Sequence, residues 1–187
     1  MPGTGVYPGG TFIPFISAQS PAFVVGAPMR GVLHTTESTD YEPSATTYYG
    51  HNNPPHFTIE RKANGAQVYQ HFSINNGSRA LANAPGGVET NRQGAIQIEL
   101  AWKANKIEDL SVGFKDELRR LMRWIEAQTG IQTIAPPFFG SEAYGSGSIS
   151  RMSHAKWNIY HGWCGHQHVP ENIHWDTGPI DINYLLQ

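Results

Sequence analysis

Residues 165–179 read Gly165-His166-Gln167-His168-Val169-Pro170-Glu171-Asn172-Ile173-His174-Trp175-Asp176-Thr177-Gly178-Pro179, three imidazoles and two carboxylates in a stretch whose Gly and Pro exclude a helix. Imidazole nitrogen and carboxylate oxygen are the donors that zinc takes in open, catalytic sites. His166 and Asp176, ten positions apart, are the candidate ligands in this loop. A third donor has to come from far upstream, and His34 in Gly31-Val32-Leu33-His34-Thr35-Thr36-Glu37 is the candidate. The fold must therefore make two distant parts of the chain converge. Loops that gather ligands in this way do chemistry more often than packing.

A chain of 187 residues fits one domain with a real core, read here as residues 1–187 with an N-terminal surface-wrapping segment (1–21) and a core (22–187). Only 15% of residues are charged while Gly (20) and Pro (13) are plentiful, which points to long ordered loops around a modest core. The formal charge is −2, and Arg119-Arg120 and Arg123 read as the solvated face of a helix, so binding along a phosphate backbone has little support. The single Cys164 rules out an internal disulfide. It lies two residues before His166, but a lone Cys between Trp163 and Gly165 reads as a small buried hydrophobe rather than a ligand. No stretch is apolar enough to span a membrane, and Met1-Pro2-Gly3-Thr4-Gly5 does not read as a signal peptide.

Arg30 to His34 reads as a strand that ends in the first candidate ligand, and a short helix is expected between Ser44 and Tyr49. His56 to Arg61 and Gln67 to His71 read as a hairpin around Asn64-Gly65. Ala95-Ile96-Gln97-Ile98-Glu99-Leu100 is a further strand, with its apolar residues on one face and Glu99 beside Gln97 on the other. A charged residue in mid-strand is disfavoured without a partner, which makes Glu99 a candidate catalytic acid. From about Gly113 to Thr129 the chain is helical, with Phe114, Leu118, Leu121, Met122 and Ile125 as a core stripe and Gly130 as its C-terminal cap. Residues 135–150 read as an irregular rim loop, and a short helix runs from an N-cap at Ser153 to His161. Strands first and helices later predict an α/β domain with a central mixed β-sheet flanked by helices.

In this order, these residues resemble the zinc-dependent N-acetylmuramoyl-L-alanine amidases shared by bacterial cell-wall amidases, phage endolysins and animal peptidoglycan-recognition proteins. The likeness extends from about Arg30 to Leu186 and is strongest to amidase domains of mycobacteriophage and other actinobacteriophage endolysins. It rests on Asn91-Arg92 before the central strand and on Gly162-Trp163-Cys164-Gly165-His166-Gln167-His168-Val169-Pro170-Glu171-Asn172 before Asp176. The resemblance implies a zinc cofactor held by His34, His166 and Asp176. It places the family's mid-strand glutamate, in an Ile-Glu-Leu context, on Glu99, and the basic residue two before the ligand aspartate on His174. Three positions depart from the pattern. Thr177 replaces a Pro, Pro55 stands where some members have a catalytic tyrosine, and His174 replaces lysine, keeping a donor on a ring that changes charge near neutral pH.

The implied activity is hydrolysis of the amide between N-acetylmuramic acid and L-alanine. Glu99 takes the proton of the attacking water and passes it to the leaving amine, while His174 stabilises the oxyanion. His56, Asn53 and Trp175 are candidate substrate contacts, and His168 is expected to point away from the ligands. The implied partner is bacterial peptidoglycan, with no nucleic acid or membrane, for a monomer made in the host cytoplasm that acts at the wall. Two other readings remain open: a peptidoglycan-binding module without catalysis, and a metal-dependent nuclease, which the missing basic stripe disfavours.

Overall fold

The computed structural model describes residues 5–15, 23, 26–27, 29–39, 53–63, 65–81, 85–92, 94–140 and 149–187. Six strands, β1 (Thr11–Phe12), β2 (Arg30–Thr35), β3 (Phe57–Lys62), β4 (Gly65–Gln70), β5 (Ala95–Leu100) and β6 (Trp163–Gly165), form one sheet in the order β1-β4-β3-β5-β2-β6. β3 and β4 are an antiparallel hairpin and every other pairing is parallel. The expected mixed sheet with flanking helices in a single α/β domain is what forms. The helix expected between Ser44 and Tyr49 lies outside the described residues.

Helix α1 (Val112–Thr129) begins where the Ser111 side chain accepts the Phe114 N–H, and it ends at Gly130, whose φ of 78° closes the last turn. Its buried stripe is the one read from the periodicity: Phe114, Leu118, Leu121, Met122 and Ile125. These residues pack with Leu33, Phe57, Ile59, Ile96, Ile98 and Leu100 into the main core. The alternate residues of the same strands face the other way. There Val32, Ala95 and Cys164 meet Trp157, Tyr160 and Val169 in a smaller core. Helix α2 (His154–Ile159) is N-capped by Ser153 as expected but stops two residues early, because Tyr160 is already extended. A last turn, α3 (Ile182–Leu185), closes the main core.

Two features were not legible beforehand. The N-terminal segment does more than wrap the surface: residues 11–12 are the parallel edge strand β1, and Tyr7 is buried against Trp124 with its hydroxyl donating to Glu117 at 3.1 Å. The second feature is β6, three residues too short to register as a strand pattern, which pairs with β2 through Gly31–Trp163, Val32–Cys164 and Leu33–Gly165. The Trp163 ring lies over Gly31, so a Cβ at that position would overlap it. The indole N–H is itself tied to Glu126 at 2.7 Å, so the ring cannot simply swing away. Gly31→Ala is therefore expected to cost about 2–3 kcal/mol of stability in denaturant unfolding, the usual scale of overpacking.

Candidate metal centre

Parallel pairing aligns the carboxyl ends of β2, β5 and β6, the edge at which open α/β sheets carry their sites. His34 is the penultimate residue of β2, Glu99 is its register partner on β5, and His166 follows β6 directly. Because register partners in a parallel pair share a face, His34 and Glu99 stand on the side away from α1. The loop after β6 then turns back and delivers Asp176. Each of His34, His166 and Asp176 is buried, and their donor atoms lie within 4.8 Å of one another.

The donors approach the spacing a small tetrahedral cation requires, with Asp176 turning a different oxygen to each ring. His34 Nδ1 and His166 Nδ1 are 3.2 Å apart, His166 Nδ1 lies 3.2 Å from Asp176 Oδ1, and His34 Nδ1 lies 3.7 Å from Asp176 Oδ2. Corners of a tetrahedron whose centre is about 2.0–2.2 Å away are roughly 3.3–3.6 Å apart. Burial, followed by the neighbouring His166, pushes the His34 imidazole down to about 3, which leaves it neutral. Burial also lowers His166. For Asp176, burial pushes upward, but His166 and the hydrogen bonds from His166 and His174 win and hold it well below the usual carboxylate range. Two neutral imidazoles and a carboxylate are the protonation states in which these groups ligate a metal.

A cavity of about 240 Å³ opens over this cluster and is lined by Thr35, Glu37, Asn53, Glu99, His174 and Trp175 as well as the three donors. Glu99 Oε2 is buried with no hydrogen-bond partner among the described residues. Burial first, then the carboxylates of Asp176 and Glu37, raise Glu99 well above the usual range. Carboxylates whose surroundings drive their proton affinities apart are the signature of an acid–base site. His174 is half-exposed and stacks on His166 at 4.2 Å, with its Nδ1 3.5 Å from Asp176 Oδ1. Trp175 continues the stack from His174.

The structure thus brings His34, His166, Asp176, Glu99, His174, Asn53 and Trp175 to one place. His56 does not join them. It is fully buried beside Gln97 of β5, where its Nδ1 accepts the Gln97 N–H at 3.0 Å and its Nε2–H meets the Asn76 carbonyl at 2.7 Å. It does not line the cavity: Phe23 and Phe72 pack against its ring, and both ring nitrogens are taken by backbone groups. Burial holds His56 down to about 4, against an ordinary 6.5. The folded state therefore resists its protonation, so stability is full above pH 6.5 and is lost as the pH falls toward 4. Relative to His56→Gln, the wild type is expected to lose about 3 kcal/mol of unfolding free energy over that interval, read from paired denaturant curves at each pH. His71, also buried and held down to about 4, is present in both proteins, so the comparison isolates His56 and its coupling to His71.

His168 points away from the ligands as expected. It accepts the Gly165 N–H at 2.9 Å and donates to the Phe138 carbonyl at 2.7 Å, bracing the backbone just before His166. Cys164 lies in the smaller core, its thiol pushed up to about 12 by burial, and stays out of the cluster. Several supporting residues were not anticipated. Arg151 reaches the carbonyls of Gln167, Val169 and His174 and the Asn172 side chain, and Asn172 in turn holds the His174 N–H at 2.8 Å. Thr35 N–H fixes Asp176 Oδ2 at 3.2 Å. The Gln97 side chain touches His34, a contact its place two residues before Glu99 on the same strand face could have signalled.

No protein-family model and no curated protein matches this chain. Solved structures do share its fold. A selenomethionine derivative of AmpD superposes with a TM-score of 0.59 at 14% identity, covering 99% of this chain and 97% of that one. The Staphylococcus aureus hydrolase AmiA, in complex with its ligand, superposes with a TM-score of 0.53, also at 14% identity, covering 96% of this chain and 81% of that one. Likeness at this identity establishes the α/β architecture over nearly the whole chain.

Proposed function

We propose that the protein is a zinc-dependent N-acetylmuramoyl-L-alanine amidase, a phage endolysin-type lytic domain that cleaves the amide between N-acetylmuramic acid and L-alanine in bacterial peptidoglycan. The observation that carries this reading is the convergence of His34, His166 and Asp176 at one end of the sheet, in one cavity with Glu99, whose Oε2 is buried without a hydrogen-bond partner among the described residues. Two imidazoles with one carboxylate are a donor set that suits zinc, and three protein ligands are the count found where one position is kept for chemistry. The shared architecture with the hydrolase AmiA supports the same class of reaction.

When bound, zinc supplies a Lewis acid that polarises the scissile carbonyl and makes water a nucleophile near neutral pH. The chain's own residues do the rest. Glu99 takes the proton from the attacking water and returns it to the departing alanine nitrogen. The half-exposed His174, held by its stack on His166, donates to the oxygen on which charge develops. Asn53 and Trp175 at the cavity rim bear on the glycan or the stem peptide. The protein acts on the wall as a monomer, with no nucleic acid or membrane partner; among the described residues no helix is long and apolar enough to cross a membrane.

Digestion of purified peptidoglycan, followed by mass spectrometry and metal analysis of the protein, tests this. Stem peptides with a free L-alanine amine and bound zinc are expected. New reducing-end sugars with intact amides would refute it, and wall binding without any cleavage would make the domain a binding module instead.

A further inference from the structure

We propose that Gln97 is a positioning residue that fixes the ring tautomer of His34, so that Nδ1 presents its lone pair to the cation; this rests on the metal reading above. The inference starts from a group whose role cannot change. The Thr90 carbonyl can only accept, and Gln97 Nε2 lies 3.1 Å from it, so the amide end of Gln97 must face Thr90. Its carbonyl oxygen Oε1 then faces His34 Nε2 at 2.7 Å. An amide oxygen cannot donate, so His34 must carry its proton on Nε2. Nδ1, on the opposite side of the ring, is left as the acceptor, and it is the atom 3.2 Å from His166 Nδ1.

The glutamine is itself held rigidly. It is fully buried in the centre of β5, and its backbone N–H is bound by His56 Nδ1 at 3.0 Å. His56 repeats the same logic one layer back: its Nε2–H is committed to the Asn76 carbonyl, which makes its Nδ1 an acceptor for Gln97. Two backbone carbonyls, Thr90 and Asn76, therefore anchor a chain of one-way hydrogen bonds that ends at the candidate ligand. Partners of this kind orient a ligating histidine and raise its basicity, and their loss commonly weakens metal binding about 10- to 100-fold.

The test uses two variants and two readouts. Gln97→Met keeps the buried volume but offers only a weakly accepting thioether in place of the amide oxygen; Gln97→Glu keeps an oxygen facing His34. In metal-free protein carrying 15N-labelled histidine, long-range 1H–15N spectra should show His34 as the Nε2–H tautomer, assigned by its loss in His34→Ala. Gln97→Met should shift it toward the Nδ1–H form, and Gln97→Glu should restore it. Zinc affinity, from competition with a chromophoric chelator, should fall about 10- to 100-fold in Gln97→Met and largely recover in Gln97→Glu. Thermal unfolding of the chelated variants shows whether both are folded. An unchanged tautomer or unchanged affinity in folded Gln97→Met overturns the proposal, as does an equal loss in Gln97→Glu, which would make the effect one of packing. A wild type that binds no zinc would sink the metal reading instead, and the tautomer measurement would still judge Gln97.

Discussion

Glu99→Gln is expected to retain zinc and fold normally while lowering kcat for release of the stem peptide by about 100- to 10,000-fold, the range in which a positioned acid–base group contributes. That range corresponds to about 3–5 kcal/mol of barrier. The amide has nearly the shape of the carboxyl but cannot accept a proton from water, so the loss should fall on kcat with KM little changed. Stability should hold or rise. The wild-type carboxyl lies near Asp176 and Glu37 with its Oε2 buried and without a hydrogen-bond partner among the described residues, and the substitution removes a group that costs free energy to ionise there. Single-turnover kinetics on purified muropeptides, with metal content measured on the same samples, would check both halves. Full activity in Glu99→Gln would remove this residue from the mechanism.

His166→Ala and Asp176→Ala should each abolish both metal retention and hydrolysis. Two remaining donors do not make a closed set for zinc, so metal content after dialysis should drop from about one equivalent to near zero. The same loss is visible without an activity assay. A ligand present at 100 times its Kd stabilises the folded state by about 2.7 kcal/mol, so zinc should raise the wild-type Tm and leave that of either variant unmoved. Asp176→Ala has a second consequence, because Thr35 N–H and His174 both bear on the carboxylate and lose their partner with it. His166→Ala in turn removes the ring on which His174 stacks. An equal zinc-induced shift in all three proteins would place the metal elsewhere.

Much of this molecule was legible from local physics. β5 was bounded correctly because six residues alternate cleanly, and α1 was readable because its apolar spacing, its Ser cap and its terminal Gly all agree. The three candidate donors were picked out by residue type and spacing, since few roles call for imidazoles and carboxylates crowded into one stretch rich in Gly and Pro. β6 escaped because three residues carry no period, and a strand that short exists only because β2 offers it an edge.

Residue types and their periods along the chain decided which segments are strands and helices and which side chains can bind a cation. Only the tertiary structure decided how those side chains are aimed. His56 and His34 both sit at strand ends in a polar context, yet one is fully buried with both ring nitrogens bound to backbone groups and the other opens on the cavity. Which nitrogen of His34 carries the proton depends on a glutamine of another strand and a carbonyl beyond it. Periodicity is a property of neighbours along the backbone; ring orientation and burial depend on partners dozens of positions away, which no local pattern encodes.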